Sequence, residues 1–191
     1  MEPVYIAGKS FEKVDSNKNS MALGEYENCK FIDCDFSSAD LSNFRFSECE
    51  FVRCNMRLIM LTNTAFRDVN FKDCKMLGLH FEDCNEFGLA FGFENCDLKH
   101  SSFYKTKMKC TTFKNSQLQE TDFIECYLTG STFDNCDLAQ AVIDNTMLDK
   151  ADLRTSFNYS IDPERNRIKK AKFSIIGIAK LLDKYDIEIE R

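Results

Sequence analysis

Ten cysteines, two histidines and a dense scatter of carboxylates are the side chains of this chain with the clearest capacity for chemistry. Cysteines in such number suit a disulfide scaffold or a metal site when their spacing is motif-like. Here it is not. Cys29, Cys34, Cys49, Cys54, Cys74, Cys96, Cys126 and Cys136 each stand two residues ahead of a five-residue beat of large apolar side chains, and Cys84 stands ahead of the point where that beat fails. Elsewhere the same place holds Ala39, Thr64, Val69, Ser101, Thr111, Ser116, Thr121, Ser131 or Ala151. Cysteine is therefore one choice among small, buriable residues. Cys110 alone falls at an outward position, and it is the thiol to test for reactivity. His80 and His100 occupy different outward positions and read as surface residues. The sequence contains no GxSxG, phosphate loop, HExxH or GxGxxG. Acidic pairs such as Glu82 and Asp83 are spread over outward positions. No catalytic residue, cofactor or metal is expected, and the protein reads as a non-enzyme.

What positions these residues is the beat itself. It marks Phe31, Phe36, Leu41, Phe46, Phe51, Met56, Leu61, Phe66, Phe71, Met76 and Phe81, and after a slip of two residues resumes at Phe93, Leu98, Phe103, Met108, Phe113, Leu118, Phe123, Leu128, Phe133, Leu138, Ile143, Leu148 and Leu153. A period of five fits neither a helix nor an ordinary strand, so it belongs to a repeat architecture. The chain has 191 residues, 18 of them Phe, with two Pro and a net charge of −6. That bounds one acidic domain with a substantial core and gives no general basic affinity for nucleic acid. Neither a signal sequence nor a run of roughly 18 apolar residues is present, so a cytoplasmic protein without membrane contact is expected.

The unit reads small–polar–apolar–polar–polar, as in Cys34-Asp35-Phe36-Ser37-Ser38, Ala39-Asp40-Leu41-Ser42-Asn43 and Cys136-Asp137-Leu138-Ala139-Gln140. It resembles the pentapeptide repeat family, motif A(D/N)LxX, over about residues 24 to 155. The resemblance implies an all-β fold, a right-handed quadrilateral β-helix with one pentapeptide per side and four per coil. Residues twenty apart then stack. Phe31, Phe51 and Phe71 form one column, continued by Phe93, Phe113 and Phe133 once two residues near 86–92 are extruded. In the second half Phe recurs every ten residues, which places Phe on two opposed walls. The slip, Cys84-Asn85-Glu86-Phe87-Gly88-Leu89-Ala90-Phe91-Gly92, reads as a corner absorbing two residues. The alternative is a functional bump that exposes Phe87.

The expected organisation is an N-terminal cap or arm over 1–20, the β-helix over 21–157 and a C-terminal helical cap over 158–191. The polar stretch Asp15–Ser20 reads as a loop. Asp162 before Pro163 suggests one helix start, and Ser174 caps a second helix through about Tyr185, followed by a short strand at 186–190. Ile175, Ile178, Leu181, Leu182 and Tyr185 make an apolar stripe that either closes the end of the β-helix or joins a second copy. The family's habit of dimerising through such elements implies a homodimer.

Phe87-Gly88-Leu89-Ala90-Phe91, with Cys96-Asp97-Leu98-Lys99 and Ser102-Phe103, is similar to the central segment of the Qnr quinolone-resistance proteins. Those are acidic, DNA-mimicking rods that bind DNA gyrase and topoisomerase IV. The resemblance implies such a partner here, with no direct nucleic-acid binding. The sequence departs from that pattern in lacking long projecting loops and in carrying outward columns of mixed sign: Asp33, Arg53, Asp73, Asn95, Asn115, Asn135 and Asp35, Asn55, Lys75, Asp97, Gln117, Asp137. The three Asn of the first column read as a stacked amide ladder. Leu58, Met60 and Leu77 are apolar at outward positions and form a candidate partner-binding patch with Phe87. The competing reading tucks them under the N-terminal arm.

Overall fold

The computed structural model describes residues 3–16, 18 and 21–189. Its strands are β1 (Val4–Ala7), β2 (Ser10–Glu12), β3 (Gly24–Glu27), β4 (Lys30–Ile32), β5 (Arg45–Ser47), β6 (Glu50–Val52), β7 (Ala65–Arg67), β8 (Val69–Lys72), β9 (Phe91–Glu94), β10 (Thr112–Lys114) and β11 (Thr132–Asp134). They form two parallel sheets, ordered β1-β3-β5-β7 and β11-β10-β9-β8-β6-β4-β2. Partners are twenty residues apart, as in Phe31↔Phe51 and Phe46↔Phe66. Across the slip the offset becomes 22, with Val69↔Phe91 and Phe71↔Phe93.

These sheets are walls one and two of a four-sided β-helix. Wall one continues beyond the slip as the bridges Lys107↔Tyr127↔Met147↔Arg167, and wall three is the bridge series Asp35↔Asn55↔Lys75↔Asp97↔Gln117↔Asp137. Wall four runs through Asp40↔Met60 and His80↔Ser102↔Asp122↔Val142. Strands stay short because each pentapeptide must turn a corner. At most corners the residue two after the beat takes positive φ, for example Asp33, Ser38, Asn43, Glu48 and Arg53, and among the described residues no β-branched residue occupies this conformation. That agrees with the steric cost of φ > 0, greatest for β-branched side chains.

The beat residues fill the interior. Phe31, Phe51, Phe71, Phe93, Phe113 and Phe133 stack along wall two with ring centroids 4.6–5.4 Å apart. Phe81, Phe103 and Phe123 stack at 4.4 and 5.2 Å on wall four. The two stacks meet edge to face, as with Phe103 and Phe113 at 5.9 Å and 86°, a favourable aromatic geometry. Phe therefore does line two opposed walls.

The place two before the beat does more than pack. In most coils its hydroxyl or thiol donates to the carbonyl 23 residues earlier, or 25 across the slip, which belongs to the beat residue of the previous coil, while Ser116 and Cys136 reach only the carbonyl two residues earlier. Thr64 Oγ1 reaches Leu41 O at 2.7 Å, Ser131 Oγ reaches Met108 O at 3.1 Å and Cys54 Sγ reaches Phe31 O at 3.4 Å. Cysteine, serine and threonine share this place because each is small and carries a donor.

Within the slip Gly88 lies against the Arg67 side chain, and the offset is 22 from Phe91 onward. The beat position of wall one in this coil falls at Glu86, which is exposed. Phe91, in the column that elsewhere holds Cys49, Val69, Thr111 and Ser131, turns inward instead, with its ring 5.4 Å from Phe81 and 5.2 Å from Phe93. Leu89 packs against the core beside it.

The ladder extends past both expected boundaries. Val4–Ala7 and Ser10–Glu12 pair with β3 and β4 as the first coil, because Ile6 and Phe11 already keep the beat. At the other end Met147↔Arg167 and Asp152↔Lys172 continue the coils. Of the expected polar loop, Asn17, Asn19 and Ser20 lie outside the described residues.

The helix expected at Asp162-Pro163 does not form. Asp162 Oδ1 instead accepts the N–H of Glu164 at 2.8 Å, closing a turn that keeps the chain on the β-helix. Ser174 does cap a helix, accepting the N–H of Gly177 at 2.9 Å. That helix, α1 (Ile175–Ile178), is one turn long and passes into 3-10 turns at Ala179–Leu181 and Asp183–Tyr185. Residues 186–189 form no strand, and Glu190 lies outside the described residues.

Candidate functional site

The carboxylates have structural employment. Asp35 Oδ1 accepts the Ser37 N–H at 2.9 Å and the Ser37 hydroxyl at 2.6 Å. Asp40, Asp122 and Asp137 accept the N–H two residues on at 2.9, 2.7 and 3.1 Å. This is an Asx turn, which Asp and Asn favour. The Ser37 and Ser42 donors hold the Asp35 and Asp40 carboxyls below the usual carboxylate range. Aspartate ahead of the beat thus serves the corner.

Other acids are matched by bases one coil away. Arg53 grips Asp33 at 2.7 and 2.9 Å, Lys30 meets Glu50 at 2.6 Å, and Glu94 lies between Lys72 at 3.6 Å and Lys114 at 3.0 Å. His80 and His100 sit beside Glu82 at 3.0 Å and Glu120 at 3.2 Å. Each exposed pair contributes about 0–1 kcal/mol, but together they break up any acidic stripe. The expected amide ladder is present in part: Asn135 donates to Asn115 and Asn95 to Asp73, both at 2.9 Å. A second ladder, Asn43–Asn63–Asn85 at 2.9 and 2.8 Å, was not anticipated. Its residues repeat at twenty and twenty-two, and that spacing was a usable signal.

Burial pushes the Cys49 thiol up to about 11 and the Cys136 thiol up to about 12. Cys110 is the exposed cysteine, and the other nine are buried. Among the described residues no group of three or more His, Cys, Asp and Glu is placed to hold a metal ion, and no helix is long and apolar enough to cross a membrane.

Residues 25–92 and 90–160 match the family model described as a pentapeptide repeat region. The chain belongs to the pentapeptide repeat family. The two matched segments meet at the slip. No curated protein matches the sequence. Among solved structures, a trypsin-treated variant of QnrB1 is similar, with 15% identity, a TM-score of 0.63 and full coverage of both chains. Full-length QnrB1 is similar at 17% identity and a TM-score of 0.56, over 96% of this chain and 100% of that one. Both are described as a plasmid-mediated fluoroquinolone resistance protein. At these identities the likeness establishes the right-handed quadrilateral β-helix for this pentapeptide repeat protein.

On this rod the candidate patch residues separate. Leu58, at the corner between walls three and four, and Met60, just beyond it on wall four, are exposed, at 58% and 53%. Leu77 is half-buried. Leu58 holds φ +55° and lies across Gly78, where a Cβ would come within 3.0 Å of its Cδ2. Strands β1 and β2 do not cover this corner, because they stack on walls one and two. Phe87 does not join the patch. It is 79% exposed and lies beside wall one, with the Arg67 guanidinium 5.6 Å from its ring centroid. Wall four separates it from Leu77.

The C-terminal end carries the larger apolar display. Ile175, Ile178, Leu182 and Tyr185 are exposed, while Leu181 turns in against the core. Ile176, Ile187 and Ile189 are exposed there as well. The helical-stripe reading missed these three because the helix is so short. Gly177 seats α1 on Tyr159, whose hydroxyl would lie 2.0 Å from a Cβ at that position. That hydroxyl is buried without a hydrogen-bond partner.

Proposed function

We propose that this protein is a non-catalytic, protein-binding rod that dimerises through its C-terminal end and engages a type II topoisomerase with its walls. The observation that carries the reading is the unpartnered apolar end. Ile175 is 93% and Ile176 is 82% exposed, on a chain many of whose outward acids are matched by turns and ion pairs. Apolar residues gathered on one end of a rod suit a two-fold, head-to-head contact with a second copy. Choice of the topoisomerase rests on the similarity of the segment from Phe87 to Phe103 to Qnr proteins and on the full-length overlap with QnrB1. Replacing Ile175 and Ile178 with Glu should convert a dimer to a monomer in light-scattering mass measurements. In a gyrase supercoiling assay with a fluoroquinolone, the protein should restore supercoiling. No protection and no inhibition over a wide concentration range would remove the topoisomerase.

The corner at Leu58 and Met60 favours a second reading, a scaffold whose partner is unrelated to DNA. Leucine gains nothing from an exposed left-handed corner that Asn or Gly fills at lower cost. Ser at Leu58 and Leu77 should then abolish capture of that partner, whereas loss of folding would assign these residues to packing.

A further inference from the structure

Along the edge between walls one and two, the corner residues stack like charges that have no ion-pair partner among the described residues. After Gly8 and Asn28 they are, coil by coil, Glu48, Asp68, Gly88, Cys110, Gly130, Lys150 and Lys170, all at positive φ. Their register is carried by bonds from the N–H of Glu48 to Arg67 O at 2.8 Å, Cys110 to Thr129 O at 3.1 Å, Gly130 to Asp149 O at 2.9 Å and Lys150 to Lys169 O at 2.9 Å. Elsewhere many successive coils pair opposite charges, as Arg53 with Asp33 and Lys114 with Glu94, and the like-charged stack Asp15↔Asp35 is answered by Lys18 and Ser37. Here Glu48 stands over Asp68 and Lys150 over Lys170. All four are exposed, and none has an ion-pair partner among the described residues. Like charges stacked about 4.8 Å apart are destabilising.

The column has an internal symmetry. Counted in coils from Cys110, Gly88 and Gly130 lie one away, Asp68 and Lys150 two away, and Glu48 and Lys170 three away. Reversing the rod end for end about Cys110 therefore inverts every charge. A two-fold axis perpendicular to the rod sets Asp68 against Lys150 of a second copy and Glu48 against Lys170. On the flanking columns the same operation sets Arg67 opposite Asp149 and Glu50 opposite Lys172, but Asp149 already pairs with Arg167, Glu50 with Lys30 and Lys172 with Asp152 in their own chain. The glycines clear the ground beside Cys110, which meets its own counterpart at the axis. Lys109, next to the axis, meets itself, and Arg45 would meet Arg167 one column further out, so the complementarity is confined to the edge.

We infer that this edge is a self-association surface on which two rods pair side by side and antiparallel, through the Glu48–Asp68 and Lys150–Lys170 pairs, with Cys110 at the axis. It is separate from the C-terminal end. The contact is narrow and electrostatic, so it is weak and salt-sensitive.

Cys110, the one exposed thiol, reports on it directly. A short bismaleimide added to the purified protein at low salt should link Cys110 to Cys110 in a covalent dimer, and Cys110→Ser should give none. Raising salt to about 0.5 M should cut the yield roughly tenfold, as expected for several exposed charge pairs. Lys150→Glu with Lys170→Glu should reduce the yield similarly, as should Glu48→Lys with Asp68→Lys, and the variant carrying all four changes should regain it. The product should persist when Ile175 and Ile178 are Glu, and its loss there would assign the cross-link to the C-terminal contact and overturn the edge. Absence of a dimer at low salt, or a yield indifferent to salt, would overturn it equally. If a reversal variant fails to fold, the salt series on the unaltered protein still decides.

Discussion

Replacing Thr64 with Val tests whether the place two before the beat is chosen for a donor or for size alone. Thr64 is fully buried, and its hydroxyl donates to Leu41 O at 2.7 Å. Valine keeps the shape and removes the hydrogen bond. Leu41 O retains the N–H of Phe44 at 3.1 Å, so the loss is one bond to a carbonyl that stays partly satisfied, about 1 kcal/mol. In a chain of this size that lowers Tm by about 2–4 °C. The converse change is sharper. Val69 occupies the same column as Cys29 and Cys49, whose thiols reach Ile6 O at 3.5 Å and Tyr26 O at 3.2 Å. A threonine at Val69 should find Phe46 O by the same 23-residue step. Burying a hydroxyl without a partner costs about 1–3 kcal/mol, whereas Val69→Thr should be neutral to within about 0.5 kcal/mol. Circular-dichroism melts of the two variants decide. An unchanged Tm for Thr64→Val, or a fall above about 5 °C for Val69→Thr, would refute the donor rule and return this place to packing alone.

Two further outcomes follow from unusual polar groups. Tyr159→Phe removes a buried hydroxyl that lacks a partner, and it should leave Tm unchanged or raise it by about 2–4 °C; a clear fall in the melt would mean that the hydroxyl is bonded. The Asp35 and Asp40 carboxyls are held below their ordinary value of 3.8 by the Ser37 and Ser42 donors. Their folded-state pKa being depressed, the stability they add is fully present above about pH 4 and is lost as pH falls through the folded value. Urea midpoints should therefore hold steady from pH 7 to 5 and drop below about pH 4. Asp40→Asn, which keeps the accepting oxygen, should flatten part of that drop.

The interior of the rod was legible because a solenoid writes its core as a period. Phe93, Phe113, Phe133 and the opposed Phe103 and Phe123 could be placed by counting twenties, and the two-residue slip could be located by the same arithmetic. Counting does not say what fills a missing beat. Glu86 takes the vacant position but faces solvent, and Phe91 enters from a place where every earlier coil had a smaller side chain or Phe44. At the C-terminal end, Asp162-Pro163 carries the same local signature for a helix start and for an Asx turn. The turn forms because Arg167 and Lys172 still have coils to pair with. Ser174 was read correctly as a cap, yet its helix stops after one turn.

The functional surface was harder to read for a physical reason. A side chain on the outside of a β-helix has neighbours at twenty residues, and each must be judged with those above and below. Taken singly, Asp35 and Asp137 look like mimicry of a phosphate, but in the structure they are acceptors for their own corners. Glu48, Asp68, Lys150 and Lys170 look like ordinary surface charge in sequence. Stacked, they are the places where like charges meet without a partner in the chain. Many other outward charges meet a base, an acid or a turn within the chain. These two pairs have no ion-pair partner among the described residues and are left to be neutralised from outside, and their spacing about Cys110 suits a second copy of the same rod.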